Sequence, residues 1–180
     1  MANSLYEQAL QFATEKHEGQ FRIGGDPYIT HPMAVAAILA DWGLDEAHRI
    51  AGLFHDLLED TDATEEEILR LGGQEVLHCV KLLTKAPGYV MADYVAGIKA
   101  HPMACRVKAA DRLHNLRCAL VAGEDFKRKY ILESVDWYLD LCPEIPGAVK
   151  KLADSMSTPL PRLSLEYEPV DNWIQTNEKQ

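Results

Sequence analysis

The stretch His55-Asp56-Leu57-Leu58-Glu59-Asp60 places one imidazole and three carboxylates within six residues. In an α-helix, which turns about 100° per residue, these four polar side chains would span about 140° of one face. The leucine and phenylalanine side chains of residues 53–58 would cover the opposite face. The stretch therefore predicts a helix with a polar face suited to metal binding or acid–base chemistry and an apolar face in the core.

The same helical spacing recurs along most of the chain. Apolar residues repeat about every 3.6 residues in almost every segment, so we predict an all-α fold, a helical bundle. Asp45 is suited to cap the helix that carries the opening stretch, and Thr64 with Glu67 predicts a capping box for the next helix. Gly72-Gly73 and Pro87-Gly88 predict helix ends.

Length and composition predict one domain followed by a tail. A chain of 180 residues is long enough for one hydrophobic core, which we place in residues 1–154. Residues 155–180 contain three prolines among polar residues and predict an extended C-terminal tail. The N-terminus lacks a signal-peptide pattern, and no apolar run reaches the roughly 18 residues of a membrane span. We therefore expect a soluble protein without a targeting segment.

The cysteine content indicates where the protein resides, and the net charge limits which classes of molecule it can bind. The four cysteines form no CxxC pair, which indicates reduced thiols and a cytoplasmic location. The formal net charge of −10 argues against binding to long nucleic acid, whose readers usually carry a basic surface. The protein can still bind an anionic small molecule where a metal ion or a local cluster of basic residues offsets the negative charge of the protein. We expect a small-molecule substrate and neither a nucleic acid nor a membrane partner.

Histidine and aspartate residues outside the opening stretch add candidate ligands. Asp111 lies within a predicted helix, on a polar stripe with Lys108 and Asn115, where a carboxylate is either solvated or functional. His31 precedes Pro32 at a predicted helix start, where it is either a ligand or part of a cap-like turn. The remaining histidines are interpreted as solvent-exposed or structural, namely His17, His48, His78, His101 and His114.

Several blocks of sequence, taken in order, resemble the hydrolase half of the RelA/SpoT enzymes and the stand-alone small alarmone hydrolases. The resemblance spans roughly residues 5–140 and implies an HD-domain helical bundle. The blocks are Gly19-Gln20-Phe21-Arg22, Pro27-Tyr28-Ile29-Thr30-His31-Pro32, His55-Asp56-Leu57-Leu58-Glu59-Asp60-Thr61, Thr84-Lys85 and Ala110-Asp111-Arg112-Leu113-His114-Asn115-Leu116-Arg117.

The resemblance also implies a metal site and its catalytic neighbours. Glu59 and Asp60 are expected to serve the attacking water, with Asp60 alternatively accepting hydrogen bonds in the turn that follows it. Two imidazoles and two carboxylates leave open positions on a six-coordinate ion for water and a phosphate oxygen. The ion is typically Mn²⁺, and the implied ligands are His31, His55, Asp56 and Asp111.

Basic and polar residues near these blocks are predicted to bind the nucleotide, although each is also compatible with a plain surface role. A guanidinium or ammonium group can hold a phosphate or a base, and an amide can hydrogen-bond the nucleotide. The predicted substrate-binding residues are Arg22, Tyr28, Lys85, Lys108 and Asn115.

The chain departs from the family pattern at two places. After Arg22 the family usually has Lys-Ser-Gly, whereas this chain reads Ile23-Gly24-Gly25, which removes a charge and a hydroxyl from a loop expected to contact the base. Cys118 stands where the family has a threonine. These changes leave the implied metal ligands in place and leave the identity of the base open.

The leading hypothesis is an Mn²⁺-dependent 3′-pyrophosphohydrolase of the alarmones ppGpp and pppGpp, the nucleotides of the stringent response. A second enzyme hypothesis is an HD phosphohydrolase of another nucleotide, either an adenosine alarmone or NADPH. A third is a non-catalytic nucleotide-sensing HD module, which we disfavour because the ligands and the Glu59-Asp60 pair are all present. We expect no synthetase activity, because too little chain follows residue 150. The oligomeric state is open.

Overall fold

The computed structural model describes residues 4–158 and 160, and these residues are predominantly helical, which confirms the predicted all-α class. An isolated bridge between Phe21 and Pro27 is the β pairing within this part of the chain. A short 3₁₀ turn, Ala119–Val121, follows the seventh helix. The helices are α1 (Leu5–Lys16), α2 (Thr30–Asp41), α3 (Glu46–Phe54), α4 (Leu57–Asp60), α5 (Glu65–Leu83), α6 (Met91–Ala100), α7 (Pro102–Cys118), α8 (Glu124–Trp137) and α9 (Glu144–Asp154).

The chain divides into two compact units, Met1–Ala110 and Asp111–Gln180. In the first unit α3 is central, because it packs against α1, α2 and α5. The core of this unit includes five fully buried side chains, Leu39, Ile50, Leu53, Phe54 and Ile68. The prediction of one domain over residues 1–154 stays a prediction, and most of the predicted tail, residues 159 and 161–180, lies outside the described residues.

In the second unit α8 packs against α9. Ile131 of α8 and Ile145 and Val149 of α9 are fully buried there. The Arg112 guanidinium is also buried, 4.4 Å from the centroid of the Tyr138 ring and 2.9 Å from a carboxylate oxygen of Glu133. An uncompensated charge is costly to remove from water, so the Glu133 carboxylate offsets the burial of this guanidinium, and the Tyr138 ring packs against it.

Helix starts follow the predicted capping chemistry. Thr64 and Glu67 form the predicted capping box at α5, with each side chain accepting from the backbone N–H of the other residue. Asp45 caps α3 by accepting from the N–H of His48 at 3.0 Å. Each cap satisfies N–H groups that a helix start leaves without an internal partner.

The opening stretch is not one continuous helix, so the prediction that a single helix carries it was wrong. Helix α3 ends at Phe54, and the short helix α4 begins at Leu57. The two residues between these helices, His55 and Asp56, form a turn, and the Gly52 carbonyl accepts from the His55 ring at 2.8 Å. A side chain that bonds a backbone carbonyl competes with the helical ladder. The polar cluster therefore lies at a turn between two helices.

The predicted break at Gly72-Gly73 is present as a kink inside α5. Gly73 has φ 80° and ψ 179°, whereas the residues on both sides are helical. A positive φ of this kind is readily adopted by glycine and costs residues with a Cβ atom free energy. The kink joins the helix begun at the Thr64 cap to the apolar segment that ends at Leu83.

Gly52 of α3 lies against side-chain and backbone atoms of α2, so we expect Gly52→Ala to destabilise the protein. A Cβ atom at residue 52 would lie 2.8 Å from Leu39 Cδ1 and 3.4 Å from the backbone Cα of Ala36. Overpacking of this kind costs about 1–3 kcal/mol in the free energy of unfolding, which denaturant titration measures. Gly97→Ala is the control, because its Cβ would meet only Leu82 Cδ2 at 3.7 Å. That change should be neutral or stabilising by up to about 1 kcal/mol; equal effects of the two variants would contradict the prediction.

Among the helices in the described part of the chain, none combines the length and the apolar character that a bilayer crossing requires. The cysteines are free thiols, with Cys118 exposed and the other three buried.

Candidate metal centre

The candidate site contains two buried imidazoles that lie close together. His31, in the first turn of α2, and His55, directly after α3, are 1% and 4% exposed. Their Nε2 atoms lie 3.2 Å apart. The Gly52 carbonyl can only accept a hydrogen bond, so Nδ1–H of His55 donates to it at 2.8 Å. In the neutral ring this bond leaves the lone pair on Nε2, the arrangement that histidine ligands of metals use.

Asp56 adds a carboxylate to the two imidazoles. Its Oδ2 lies 3.0 Å from Nε2 of His55 and 3.7 Å from Nε2 of His31. The Tyr28 hydroxyl donates to the same Oδ2 at 2.7 Å and lies 3.2 Å from Oδ2 of Asp60. Tyr28, predicted to bind substrate, therefore contacts one implied ligand and one implied catalytic carboxylate.

Asp111 is buried on α7, and its Oδ1 accepts from Nδ2 of Asn115 at 2.6 Å. In the first compact unit His31, His55 and Asp56 each offer a ligand atom at one place, and Asp111 of the second unit offers a further carboxylate. Two nitrogen donors with carboxylate oxygens suit a borderline divalent cation. The donor set therefore fits a divalent metal ion. Asn115, predicted to bind substrate, donates to the Asp111 carboxylate, a contact that sequence analysis missed although the i+4 spacing permits it.

The Glu59 side chain contacts the backbone of Lys85, which lies 26 positions further along the chain. The backbone N–H of Lys85 donates to Oε2 of Glu59 at 3.0 Å. The Glu59 side chain is exposed, so its carboxylate is open to solvent on the polar side of α4. The Lys85 ammonium lies 5.5 Å and 5.6 Å from the ring centroids of Tyr89 and Tyr94. The structure therefore places the backbone N–H of a predicted phosphate-binding residue against a predicted catalytic carboxylate.

Asp60 differs electrostatically from an ordinary surface aspartate. Burial raises the pKa of its carboxyl, the nearby Asp56 carboxylate raises the pKa further, and the Tyr28 hydroxyl acts in the opposite direction. The carbonyl of Asp60 accepts from Nε2 of Gln20 at 2.7 Å. In the turn that follows, the Ala63 N–H donates to Thr61 Oγ1 and the Thr61 N–H to the Leu57 carbonyl. The Asp60 side chain instead contacts Tyr28.

Gln20 and His17 form a supporting layer that sequence analysis assigned no role in the site. His17 is buried, its Nδ1 lies 2.8 Å from Oε1 of Gln20, and its ring centroid lies 4.7 Å from that of Tyr28. The side-chain amide of Gln20 also donates a hydrogen bond to the Asp60 carbonyl, so Gln20 links His17 to Asp60. The available signal was Gln20 itself, which lies in the first block of the resemblance.

The loop between α1 and α2 carries the remaining predicted substrate residues of this region. The Arg22 N–H donates to the Asp26 carbonyl at 2.9 Å, and the Gly25 N–H donates to the Arg22 carbonyl at 3.0 Å. The Arg22 guanidinium lies 6.0 Å from the Tyr28 ring centroid. Ile23, which replaces the lysine of the family pattern, is 78% exposed. Lys108 lies half-buried on α7, and its contact with substrate stays a prediction.

Comparison with known proteins agrees with this architecture. Residues 9–89 match the family model described as HD domain. The chain is 36% identical, over 94% of its length, to the "GTP pyrophosphokinase rsh" of Brucella melitensis, and covers 23% of that protein. It is 38% identical, over 75% of its length, to a GTP pyrophosphokinase of Streptomyces coelicolor, of which it covers 17%. The chain thus spans less than a quarter of the length of these curated relatives.

A solved structure supports the fold. It is described as a metazoan orthologue of SpoT that hydrolyses ppGpp and plays a role in starvation responses, and it superposes with a TM-score of 0.70 at 24% identity. The match covers 86% of this chain and 96% of that one. The predicted HD-domain fold and the predicted resemblance are both confirmed. The chain therefore contains an HD-domain match over residues 9–89 and is similar in sequence to the RelA/SpoT-type proteins.

Proposed function

We propose that the protein is an Mn²⁺-dependent hydrolase that removes the 3′-pyrophosphate of ppGpp and pppGpp, yielding pyrophosphate and GDP or GTP. The observation that carries the proposal is the convergence of His31 Nε2, His55 Nε2 and Asp56 Oδ2 beside the Glu59-Asp60 pair, in a chain with an HD domain. The ppGpp hydrolysis named for the metazoan SpoT orthologue supports the choice of substrate. The kinase name of the curated relatives belongs to much longer proteins.

The proposed ligands are His31, His55, Asp56 and Asp111. A divalent ion held by them would lower the pKa of a bound water and offset negative charge at the phosphorus. Tyr28 and Asn115 would fix the carboxylates of Asp56 and Asp111 through the hydrogen bonds described above. Such second contacts keep a ligand carboxylate in one orientation.

Glu59 and Asp60 are the proposed acid–base residues. The exposed Glu59 carboxylate would accept a proton from the attacking water, because its Oε1 is available while Oε2 is held by the Lys85 N–H. Asp60 would act as a hydrogen-bond partner for the water or the substrate. Arg22, Lys85 and Lys108 would supply positive charge to the phosphates, which a chain with net charge −10 must gather locally.

Chromatographic analysis of the products tests the proposal. The purified, Mn²⁺-loaded protein is offered ppGpp, pppGpp, their adenosine counterparts, NADPH and ordinary nucleotides. We expect release of pyrophosphate together with GDP or GTP. Turnover of NADPH alone would replace the proposed substrate, and ppGpp binding without turnover of any nucleotide would support a non-catalytic sensing module.

Arg22→Ala should raise KM for ppGpp with little change in kcat or metal content. The Arg22 guanidinium lies over the Tyr28 ring at the edge of the site, where it can hold a base or a phosphate in the ground state and in the transition state alike. Steady-state kinetics and elemental analysis measure both effects. Arg70→Ala is the control, because Arg70 is an exposed arginine on α5. A fall in kcat at unchanged KM would contradict a binding role for Arg22.

Ile23→Lys should shift base preference towards guanosine if this loop discriminates between bases. The exposed Ile23 side chain stands where the family pattern has a lysine, and this observation favours an adenosine alarmone as the second candidate substrate. One added hydrogen bond of about 1 kcal/mol would change the guanosine-to-adenosine ratio of kcat/KM about fivefold. The family serine should not be restored at the same time, because Gly24 has φ +114° and a side chain there would be strained. An unchanged ratio would remove Ile23 from base selection.

A further inference from the structure

We propose that Tyr94 of α6 is a positioning residue for this hydrolysis, and that it acts through the segment Leu83–Lys85. Its hydroxyl would fix the backbone that holds the Glu59 carboxylate, and its ring would fix the Lys85 ammonium. The reaction assigned to Glu59 and Lys85 rests on the proposed function. The contacts of Tyr94 do not depend on it.

The first contact is at the end of α5. The Tyr94 hydroxyl donates to the carbonyl of Leu83, the last residue of that helix, at 2.8 Å. The last carbonyls of a helix have no partner within the helix and need one from elsewhere. Leu83 is buried and Tyr94 is half-buried, so this bond is partly shielded from water. Tyr94 therefore fixes the point at which the chain leaves α5.

The second contact follows two residues later. The Lys85 N–H donates to Oε2 of Glu59 at 3.0 Å, and Thr84 between them bonds the Val80 carbonyl through its hydroxyl at 2.8 Å. A glutamate side chain on an exposed surface has many rotamers, and a backbone donor selects one of them. Because that donor lies next to the anchored end of α5, the Glu59 carboxylate is held indirectly by Tyr94.

The third contact concerns the charge of Lys85. Its ammonium lies 5.5 Å from the Tyr89 ring centroid and 5.6 Å from the Tyr94 ring centroid, and the two rings meet edge to face at 5.7 Å. A cation over a ring face is attracted to it without being neutralised. A carboxylate partner would compete with a phosphate for the ammonium, whereas aromatic rings leave its charge available to an anionic substrate. The two tyrosines thus orient a cation for phosphate.

The hydroxyl and the ring of Tyr94 should affect different kinetic constants. Tyr94→Phe removes the bond to the Leu83 carbonyl and keeps the ring, so it should lower kcat about 3- to 30-fold and change KM less than about twofold. Tyr94→Leu also removes the ring and should raise KM in addition. Tyr89→Leu removes one ring beside Lys85 and should raise KM alone. Tyr6→Phe is the matched control, because Tyr6 also holds a cation, the Arg49 guanidinium at 4.2 Å, outside the site.

A double-mutant cycle separates positioning of Glu59 from a general loss of structure. In the Glu59→Gln background the proton acceptor is gone, so Tyr94→Phe should lower kcat less than about twofold further. An equal fold loss in both backgrounds, or an unchanged kcat in Tyr94→Phe alone, would overturn the proposal. Thermal melting checks that each variant folds; should Tyr94→Phe not fold, Tyr89→Leu at the exposed Tyr89 still tests how Lys85 is held.

Amide hydrogen exchange provides a readout that needs no substrate. The Lys85 amide should exchange faster in Tyr94→Phe than in the native protein, and Tyr6→Phe should leave its rate unchanged. An unchanged Lys85 rate in Tyr94→Phe would overturn the proposed link from Tyr94 to Glu59. If the native protein does not hydrolyse ppGpp, the proposed function fails, and the exchange result still decides whether Tyr94 holds this segment.

Discussion

Asp56→Ala is expected to abolish Mn²⁺ binding and turnover together, and Asp111→Ala is expected to do the same. In the proposed site both carboxylates would supply negative charge that balances a divalent ion, and neither imidazole could replace that charge. Asp56 Oδ2 lies 3.0 Å from Nε2 of His55, within the space where the donors converge. Elemental analysis of the purified variants measures bound metal, and product chromatography measures turnover.

The same loss should appear in stability. A ligand present at a hundred times its Kd stabilises the folded chain by about 2.7 kcal/mol, which corresponds to roughly 5–10 °C in Tm for a chain of this length. Chelation should therefore lower the Tm of the native protein by about that amount and leave the Tm of Asp111→Ala nearly unchanged.

Two further variants sharpen the ligand assignment. Asp56→Asn keeps an acceptor for the Tyr28 hydroxyl and removes only the charge, so it should lose metal as Asp56→Ala does. Asp136→Ala, at an exposed aspartate of α8, should keep metal and activity. Full metal occupancy in both Asp56→Asn and Asp111→Ala would refute the proposed ligands.

Glu59→Gln is expected to keep the bound metal and the fold while losing about 10²- to 10⁴-fold in turnover. The amide oxygen of glutamine can still accept the Lys85 N–H, which the Glu59 carboxylate accepts at 3.0 Å, so the side chain should keep its place. It cannot accept a proton from water. Steady-state kinetics at saturating substrate, with metal content measured in parallel, tests the separation of chemistry from binding.

Glu66→Gln is the matched control for Glu59→Gln. Glu66 is exposed in the first turn of α5, and its amide variant should turn over ppGpp at the native rate. Near-native turnover in Glu59→Gln would assign the proton transfer to Asp60 or to the ion alone.

The local elements of the fold were predictable from short stretches of sequence. Ser4 and Thr64, each followed three residues later by glutamate, form capping boxes at the starts of α1 and α5, and the glycine at position 73 interrupts α5 with a positive φ. These features depend on residues within one or two helical turns of each other, so the spacing of residues along the sequence is enough to predict them. The continuity of the opening stretch was not predictable in this way, because the His55 ring competes for the Gly52 carbonyl.

The residue types of the candidate site were also visible in the sequence, because imidazole and carboxylate side chains are donors for divalent metal ions. The sequence by itself therefore determined the helical class, the helix starts and the set of candidate ligands. The tertiary structure decided which side chains contact them. Tyr28 lies 28 residues from Asp56, and Lys85 lies 26 residues from Glu59, yet each pair shares a hydrogen bond. Such contacts depend on how α2, α4 and α5 pack, and no periodicity along the chain encodes that packing.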